Sequence, residues 1–377
     1  MNSLSPAFDR IRRLLRSAPH AKYLSGISFD DRSHGPMWRQ FPTHIFLLPE
    51  FEIIEVDGSV SFVVNLVKNA HESLQKVHAK LSQRFEQVKL TDSHAESGFG
   101  HFTSERCIPE KTVWSASVAQ AVSAIRQQAF DKVVLARCRE FAFRNRLEPC
   151  MFVKYFERMK SPAYFFLLQF DQNTAFVGSS PERLYRRCGA TLESEALAGT
   201  RMRGRNEVED RALSAELLNA TKDSHEHQLV YDYIRHAMSS LCSRISKDNP
   251  RYVLKLILIQ HLLTTLSGTL KPNVNDEDIL AILHPTPAVG GTPLDKAIAC
   301  IHELEHFDRG WYAGAVGTIG LDQTEFSVAI RSGLIHNNTL TLFSGAGIVA
   351  DSDPEAEWIE TQCKMNNFLK VIGQRYD

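Results

Sequence analysis

The sequence lacks most of the features that would assign it quickly. Its seven cysteines, Cys107, Cys138, Cys150, Cys188, Cys242, Cys300 and Cys363, are odd in number, widely scattered and free of any C-x-x-C spacing. That argues against a disulfide framework or a zinc site and predicts reduced thiols in a cytoplasmic compartment. Neither sign of charge dominates: 43 Lys and Arg stand against 44 Asp and Glu, a net charge of −1. A nucleic-acid partner usually demands a basic excess, and none is present. The most apolar run, 253–259, is too short for a membrane span and is broken by Lys255. No G-x-G-x-x-G, Walker loop, H-E-x-x-H or G-x-S-x-G occurs, which removes most nucleotide-dependent and serine-hydrolase readings. Repeats and low-complexity tracts are missing too. The first 24 residues set Arg10, Arg12, Arg13 and Arg16 among Phe8, Ile11, Leu14 and Leu15. This predicts an amphipathic surface helix, not a secretory signal; an organellar presequence is the alternative, and Asp9 and Pro6 weigh against it.

What is present suits a globular protein with a sizeable core. The chain has 377 residues, 43% hydrophobic and 23% charged, enough for two or three domains or one unusually large one. The patterning predicts strands over 43–48 and 59–67, a helix over 70–90, and a polar linker or loop over 91–100. A helix over 112–129, a strand over 132–143, a short helix over 151–159 and a hairpin of 163–170 with 174–178 follow. Residues 207–241 carry apolar positions near period 3.6 and read as one long helix. Beyond it come strands within 253–270, helices over 277–283 and 294–304, strands over 312–319, 324–335 and 339–344, and a closing helix over 353–373. Strands arrive in runs, not in strict alternation with helices. That predicts an α+β fold with antiparallel sheets, not a doubly wound parallel one.

Several charged residues stand where charge needs a reason. After the glycine loop Gly345-Ala346-Gly347, Ser352 or Asp353 can cap a helix, and Glu355 and Glu357 lie where the helix dipole favours carboxylates. Glu360 lies past that first turn. It shares a face with Glu357 and can pair with Lys364 at i,i+4, as an exposed ion pair would. The run Lys222-Asp223-Ser224-His225-Glu226-His227 interrupts an apolar pattern. His225 and His227 point roughly 200° apart on a helix and cannot easily share a metal, so a solvated face is the plain reading. Lys132 heads an otherwise apolar strand, as an edge gatekeeper does. Glu182 follows Gly178-Ser179-Ser180-Pro181. Arg331 alternates toward the same side as Ala329, toward an enclosed site, where a guanidinium needs an anionic partner.

Taken together, nine segments resemble the chorismate-binding enzymes, and among them the isochorismate synthases of menaquinone biosynthesis. In order they are D-K-V-V-L-A-R (131–137), G-S-S-P-E-R-L (178–184), A-L-A-G-T-R-x-R-G (196–204), K-D-S-H-E-H (222–227), Q-H-L (260–262), H-P-T-P-A-V-G-G-x-P (284–293), F-D-R-G-W-Y-A-G-A-V-G (307–317), A-I-R-S (329–332) and S-G-A-G-I-V…E-W-I-E-T (344–361). The resemblance covers 110–372. It leaves 1–100 as a variable region, expected to join the same body as a catalytic part over 101–377. It implies two large antiparallel β-sheets packed face to face with helices outside. It also implies a Mg²⁺-dependent isomerase that converts chorismate, a small dicarboxylate, to isochorismate, with no amidotransferase subunit, no nucleic acid and no membrane.

The same resemblance implies residue roles. Glu226 and Glu360 would hold Mg²⁺, with Glu357 reaching it through water; oxygen ligands and retained waters suit that ion. Lys132 would be the general base for water attacking C2, and Glu182 the general acid for the hydroxyl leaving C4. Arg331 and Tyr312 would grip the enolpyruvyl carboxylate, helped by the Gly345, Ala346 and Gly347 backbone. Gly199, Thr200 and Lys364 would line the ring carboxylate, with His261 near the site or simply a hydrogen-bonded strand histidine. Lysine at 132, where ammonia-using relatives carry glutamine, points to water as nucleophile. Ala198 stands where some relatives place a ring-attacking lysine. Salicylate synthase, which goes on to eliminate pyruvate, is the rival reading. A non-catalytic chorismate-binding protein is a second alternative.

Overall fold

The computed structural model describes residues 5–32, 35–67, 71–88, 99–246 and 250–373. Most of the expected linker over 91–100 lies outside them. Two antiparallel sheets dominate. The nine-stranded sheet runs Cys242–Ile245, Ile259–Leu270, Thr191–Met202, Arg183–Cys188, Gln323–Val328, Ala315–Ile319, Tyr23–Ile27 and His44–Leu47, with Tyr252–Lys255 also paired to Ile259–Leu270. The seven-stranded sheet runs Gly291–Thr292, Lys132–Phe143, Thr339–Ile348, Ser332–His336, Thr174–Ser180 and Tyr164–Gln169, with Phe102–Ile108 also on Lys132–Phe143. One apolar core joins them: Val133, Leu135, Phe176 and Phe343 of the second sheet pack in a single cluster with Leu184, Leu192 and Phe326 of the first.

Helices cover the outer faces. The helix Thr221–Leu241 buries Asp223, His227, Val230, Ile234, Ala237, Met238 and Leu241. That stripe of i, i+3 and i+4 positions lies on Thr191–Met202 and Ile259–Leu270. The closing helix Pro354–Val371, capped by Asp353, buries Glu357, Trp358, Thr361, Met365, Phe368 and Leu369 against the strand Thr339–Ile348 and the helix Lys111–Arg126. Near the N-terminus the helix Ser5–Ser17 buries Phe8, Ile11 and Leu15. Each such side chain contributes roughly 1.5–3 kcal/mol of apolar burial. The strand Tyr23–Ile27 pairs with Ala315–Ile319 on one side and His44–Leu47 on the other. The hairpin Phe51–Val56 and Ser59–Val64 forms its own two-stranded sheet, and the helix Leu74–Glu86 buries no residue.

The structure corrects three expectations. The long helix over 207–241 is two helices, Glu207–Asn219 and Thr221–Leu241, because Ala220 adopts an extended conformation between them. The strand over 324–335 is two strands in different sheets, Gln323–Val328 and Ser332–His336. Arg331 lies in the crossing between them, in the left-handed region at φ 51°, so it is not an alternating strand position. The plain reading of 222–227 as a solvated face also fails, since Asp223 and His227 are buried against the sheet. Two strands, Arg183–Cys188 and Thr191–Met202, had no counterpart among the expectations.

Candidate active site

The two sheets do not close along their whole length. Past Phe343 the strand Thr339–Ile348 has lost its Ser332–His336 neighbour but remains paired to Lys132–Phe143, Gly345 opposite Ala136 and Gly347 opposite Val134. One edge of 344–348 therefore lacks a ladder partner. A cleft of about 580 Å³, counting its open mouth, lies there between the sheets. Glu182, Gly199, Thr200, Glu226, His261, Tyr312, Arg331, Gly345, Gly347, Glu360 and Lys364 all line it. Of the fourteen residues singled out in the sequence, these eleven share one cavity. Lys132, Glu357 and Ala346 do not line it. Ala346 is packed in the apolar core.

Lys132 begins the strand Lys132–Phe143, opposite Thr292, and is wholly buried, which removes the edge-gatekeeper reading. Its Nζ lies 3.0 Å from Glu226 Oε1 at an angle that makes no hydrogen bond. Glycine at 347 makes room for this pair, because a Cβ there would strike the Glu226 carboxylate and come within 2.9 Å of Lys132 Cε. Burial pushes the Glu226 carboxyl up, but Lys132 and Lys364 outweigh it and hold the group below its usual range.

Glu182 follows the last residue of Thr174–Ser180, where the chain leaves the seven-stranded sheet for the nine-stranded one. It is 2% exposed, and its Oε1 has no hydrogen-bond partner among the described residues. Burial first, then Glu195, raises its carboxyl to about 8 against the pull of Lys132, Lys364 and Arg331. A carboxylic acid at about 8 keeps its proton at neutral pH.

Arg331 is fixed from the opposite wall. Its Nη2 lies 3.0 Å from His261 Nε2, and His261 Nδ1 lies 2.9 Å from the Gly199 carbonyl oxygen. Burial and Arg331 together hold His261 far below its usual range. The imidazole is therefore neutral, donating from Nδ1 to the carbonyl and accepting the guanidinium at Nε2. Gly199 takes φ 72° at a register shift between Ala198 and Thr200, the kind of conformation that favours glycine. Tyr312 is 3% exposed and stacks on Phe343 with ring centroids 5.3 Å apart. Its hydroxyl would lie 3.0 Å from a Cβ placed on Gly345.

The remaining carboxylates sit on the closing helix. Glu360 pairs with Lys364 at 2.6 Å, the expected i,i+4 pair, but it faces the cleft and not open solvent. Lys364 Nζ also donates to the Gly345 carbonyl at 2.9 Å. Glu357 is 1% exposed and pairs with Lys222 at 2.5 Å, so it does more than answer the helix dipole. Burial and Glu360 push it to about 7. Burial pulls the Lys222 ammonium down, but its partner Glu357, with weaker help from Glu360 and Glu226, outweighs that and holds it above its usual range. As the side chains stand, with a lysine on each carboxylate, no group of three ligating residues among the described ones is close enough to hold a metal ion.

Two contributors had no place among the expectations. Lys222 stood inside the acidic run one helical turn before Glu226, and that i,i+4 spacing was its signal. Arg309 is 3% exposed and braces two residues of the cleft lining, Val134 and Val289. It pairs with Glu305 and donates to the carbonyls of Val289 at 2.7 Å and Val134 at 2.6 Å. A guanidinium inside F-D-R-G-W-Y, among aromatics and glycine, was the available signal.

Comparison with known proteins accords with this geometry. A model of the chorismate binding enzyme family matches residues 8–373. The chain belongs to that family. Among its relatives, the chloroplastic isochorismate synthase of Catharanthus roseus is 35% identical over 369 residues, 96% of this chain and 64% of that one. The isochorismate synthase MenF of Bacillus subtilis is 35% identical over 363 residues, 96% of this chain and 76% of that one. The chain therefore spans between about two-thirds and three-quarters of these relatives' lengths. The solved structure of MenF, the menaquinone-specific isochorismate synthase from Escherichia coli, superposes with a TM-score of 0.86 at 31% identity, covering 97% of this chain and 82% of that one. The two-sheet α+β architecture is thus that of a chorismate-binding enzyme. No helix among the described residues is long and apolar enough to cross a membrane.

Proposed function

We propose that this chain is an isochorismate synthase that isomerises chorismate for menaquinone biosynthesis, in the cytoplasm and without an amidotransferase subunit. The observation that carries the reading is a buried Glu182, its carboxyl pushed up to about 8, sharing one cleft with Glu226, which pairs with Lys132, and with the Arg331 guanidinium. An acid in the cleft and an amine directly behind Glu226 of its lining suit a reaction that adds water at one ring carbon and expels hydroxide from another. Lys132 takes a proton from the water attacking C2 once its ammonium has given up its own. Glu182 delivers a proton to the hydroxyl leaving C4, since hydroxide leaves poorly unprotonated. Arg331 and Tyr312 grip the enolpyruvyl carboxylate, and His261 holds the guanidinium in place. Gly199, Thr200 and Lys364 frame the ring carboxylate, while the backbone of 345–347 lets the substrate approach closely.

The donor set fits Mg²⁺, which prefers carboxylate oxygens and keeps several waters. Glu226 and Glu360 would hold it, with Glu357 in its outer shell, once the lysines yield. Bound there, the ion supplies positive charge to the ring carboxylate. Each of these carboxylates already pairs with a lysine, Glu226 with Lys132, Glu360 with Lys364 and Glu357 with Lys222, which supports a cation locus at this point. The test is to incubate the purified protein with chorismate and Mg²⁺ and separate the products. Isochorismate alone is the expected outcome. Salicylate with pyruvate would replace the reading by a salicylate synthase, and unchanged chorismate with retained binding would replace it by a non-catalytic binding protein.

A further inference from the structure

On the strand pair of Phe102–Ile108 with Lys132–Phe143, Cys107 lies opposite Arg139 and Glu105 opposite Phe141. Strand periodicity puts Glu105, Cys107, Arg137, Arg139 and Phe141 on one face. That face carries two arginines and one carboxylate, and the carboxylate is taken: Glu105 pairs with Arg139. Arg137 is 0% exposed. Its Nε donates to Thr361 Oγ1 at 2.7 Å, and its guanidinium stacks on Trp358 at 3.7 Å from the ring centroid. Nη1 and Nη2 have no hydrogen-bond partner of any kind among the described residues, and the Cys107 side chain shares their face of the strand pair, one register step away. A guanidinium taken wholly out of water without an anion is costly. The two orphaned nitrogens are therefore a ready site for negative charge on the sulfur beside them.

We propose that Cys107 is the reactive thiol of this protein, a modification site for soft electrophiles whose attacking sulfur is stabilised by Arg137. With an alkyl halide such as iodoacetamide the step balances simply. The thiol proton goes to solvent, a Cys107 Sγ–C bond forms, the C–I bond breaks, and iodide leaves with the bonding pair. Negative charge on sulfur rises before the attack, and the unpartnered Arg137 guanidinium on the same strand face is there to receive it. Cys138 takes no part: it lies opposite Ile108 on the other face of the strand and is buried, with burial pushing its thiol up to about 12.

Accessibility alone predicts a different order. Cys150 and Cys188 are exposed, whereas Cys107 is only partly so. The experiment treats the native protein with substoichiometric iodoacetamide and maps the labelled peptides over time. The expected result is Cys107 labelled at least tenfold faster than Cys150 and Cys188. Labelling of those two first would overturn the proposal without any variant. In Arg137→Gln, checked for folding by circular dichroism, the rate at Cys107 should fall at least tenfold while Cys150 and Cys188 keep theirs. An unchanged Cys107 rate in that variant would also overturn it.

Discussion

Replacing Glu182 by Gln separates two consequences of burying an acid. The carboxyl stands at about 8 against an ordinary 4.5, raised by burial first and then by Glu195. Between those values the folded protein keeps a proton that the unfolded chain has already lost. Stability is therefore fully present below the unfolded value and falls as pH rises through the interval, levelling once the folded value is passed. At about 1.4 kcal/mol per pH unit, the interval from 4.5 to about 8 costs roughly 5 kcal/mol, and roughly 3 kcal/mol of it is already lost at pH 7. Glutamine matches the protonated acid in shape and never ionises. E182Q should thus equal the wild type near pH 4.5 and become progressively more stable than it up to about pH 8. Its turnover should fall by roughly 10²–10⁴-fold, the usual share of a positioned acid. The wild-type kcat/KM should decline above about pH 8 as the acid loses its proton. Urea unfolding of both proteins across that range, beside the pH–rate profile, reads both consequences. A stability gap that does not widen with pH refutes the burial argument. A wild-type profile that stays level well beyond pH 8 refutes the acid.

Gly347→Ala drives a methyl group into the Glu226 carboxylate and Lys132. It should cost roughly 1–3 kcal/mol of stability, read by thermal melting, and should lower kcat/KM in the fraction that stays folded. Lys132→Gln should abolish water addition yet leave Mg²⁺ binding by calorimetry intact; normal turnover in the variant would remove Lys132 as the base. Glu226→Ala and Glu360→Ala should each lose Mg²⁺ binding and activity together, and calorimetric binding retained in either would exclude that residue as a ligand. Chelation with EDTA should stop the reaction while circular dichroism and the melting temperature stay unchanged. Loss of the fold would instead make the ion structural.

Long periodic segments were legible from sequence because their burial follows a regular face. The helices Leu294–Leu304 and Pro354–Val371 and the strand Lys132–Phe143 lie within a residue or two of expectation. The strands Arg183–Cys188 and Thr191–Met202 were not, because small and charged residues conceal their alternation. In Thr191–Met202 the inward positions are Leu192, Ser194, Ala196 and Ala198, of which only the first is a large hydrophobe. The two-helix break at Ala220 left no mark either, since apolar spacing continues across it. For the site, motif resemblance assigned Glu226, Glu360 and Glu357 roles that a surface reading does not give them. Asp223, His227 and Glu357 looked like surface charge, yet all three are buried, because their partners Arg201, the Ala196 carbonyl and Lys222 come from elsewhere in the chain.

Glu182 and Arg331 occupy the same kind of place in the fold. Each lies where the chain leaves one sheet for the other: Thr174–Ser180 to Arg183–Cys188 at Glu182, and Gln323–Val328 to Ser332–His336 at Arg331. Strands that switch sheets must bend at the corner, and a bend frees a side chain from the alternation that would commit it to core or solvent. The two corners are tied to each other, Val328 N–H to the Glu182 carbonyl at 3.0 Å and Ser179 N–H to the Arg331 carbonyl at 3.0 Å. The acid and the guanidinium are thus held by backbone bonds on a common frame, so their separation is set by the fold and not by side-chain freedom. The same crossing ends the Ser332 ladder and leaves 344–348 without a neighbour on one edge, which opens the cleft they face. In this protein the irregularity between sheets creates both the cavity and the groups that line it.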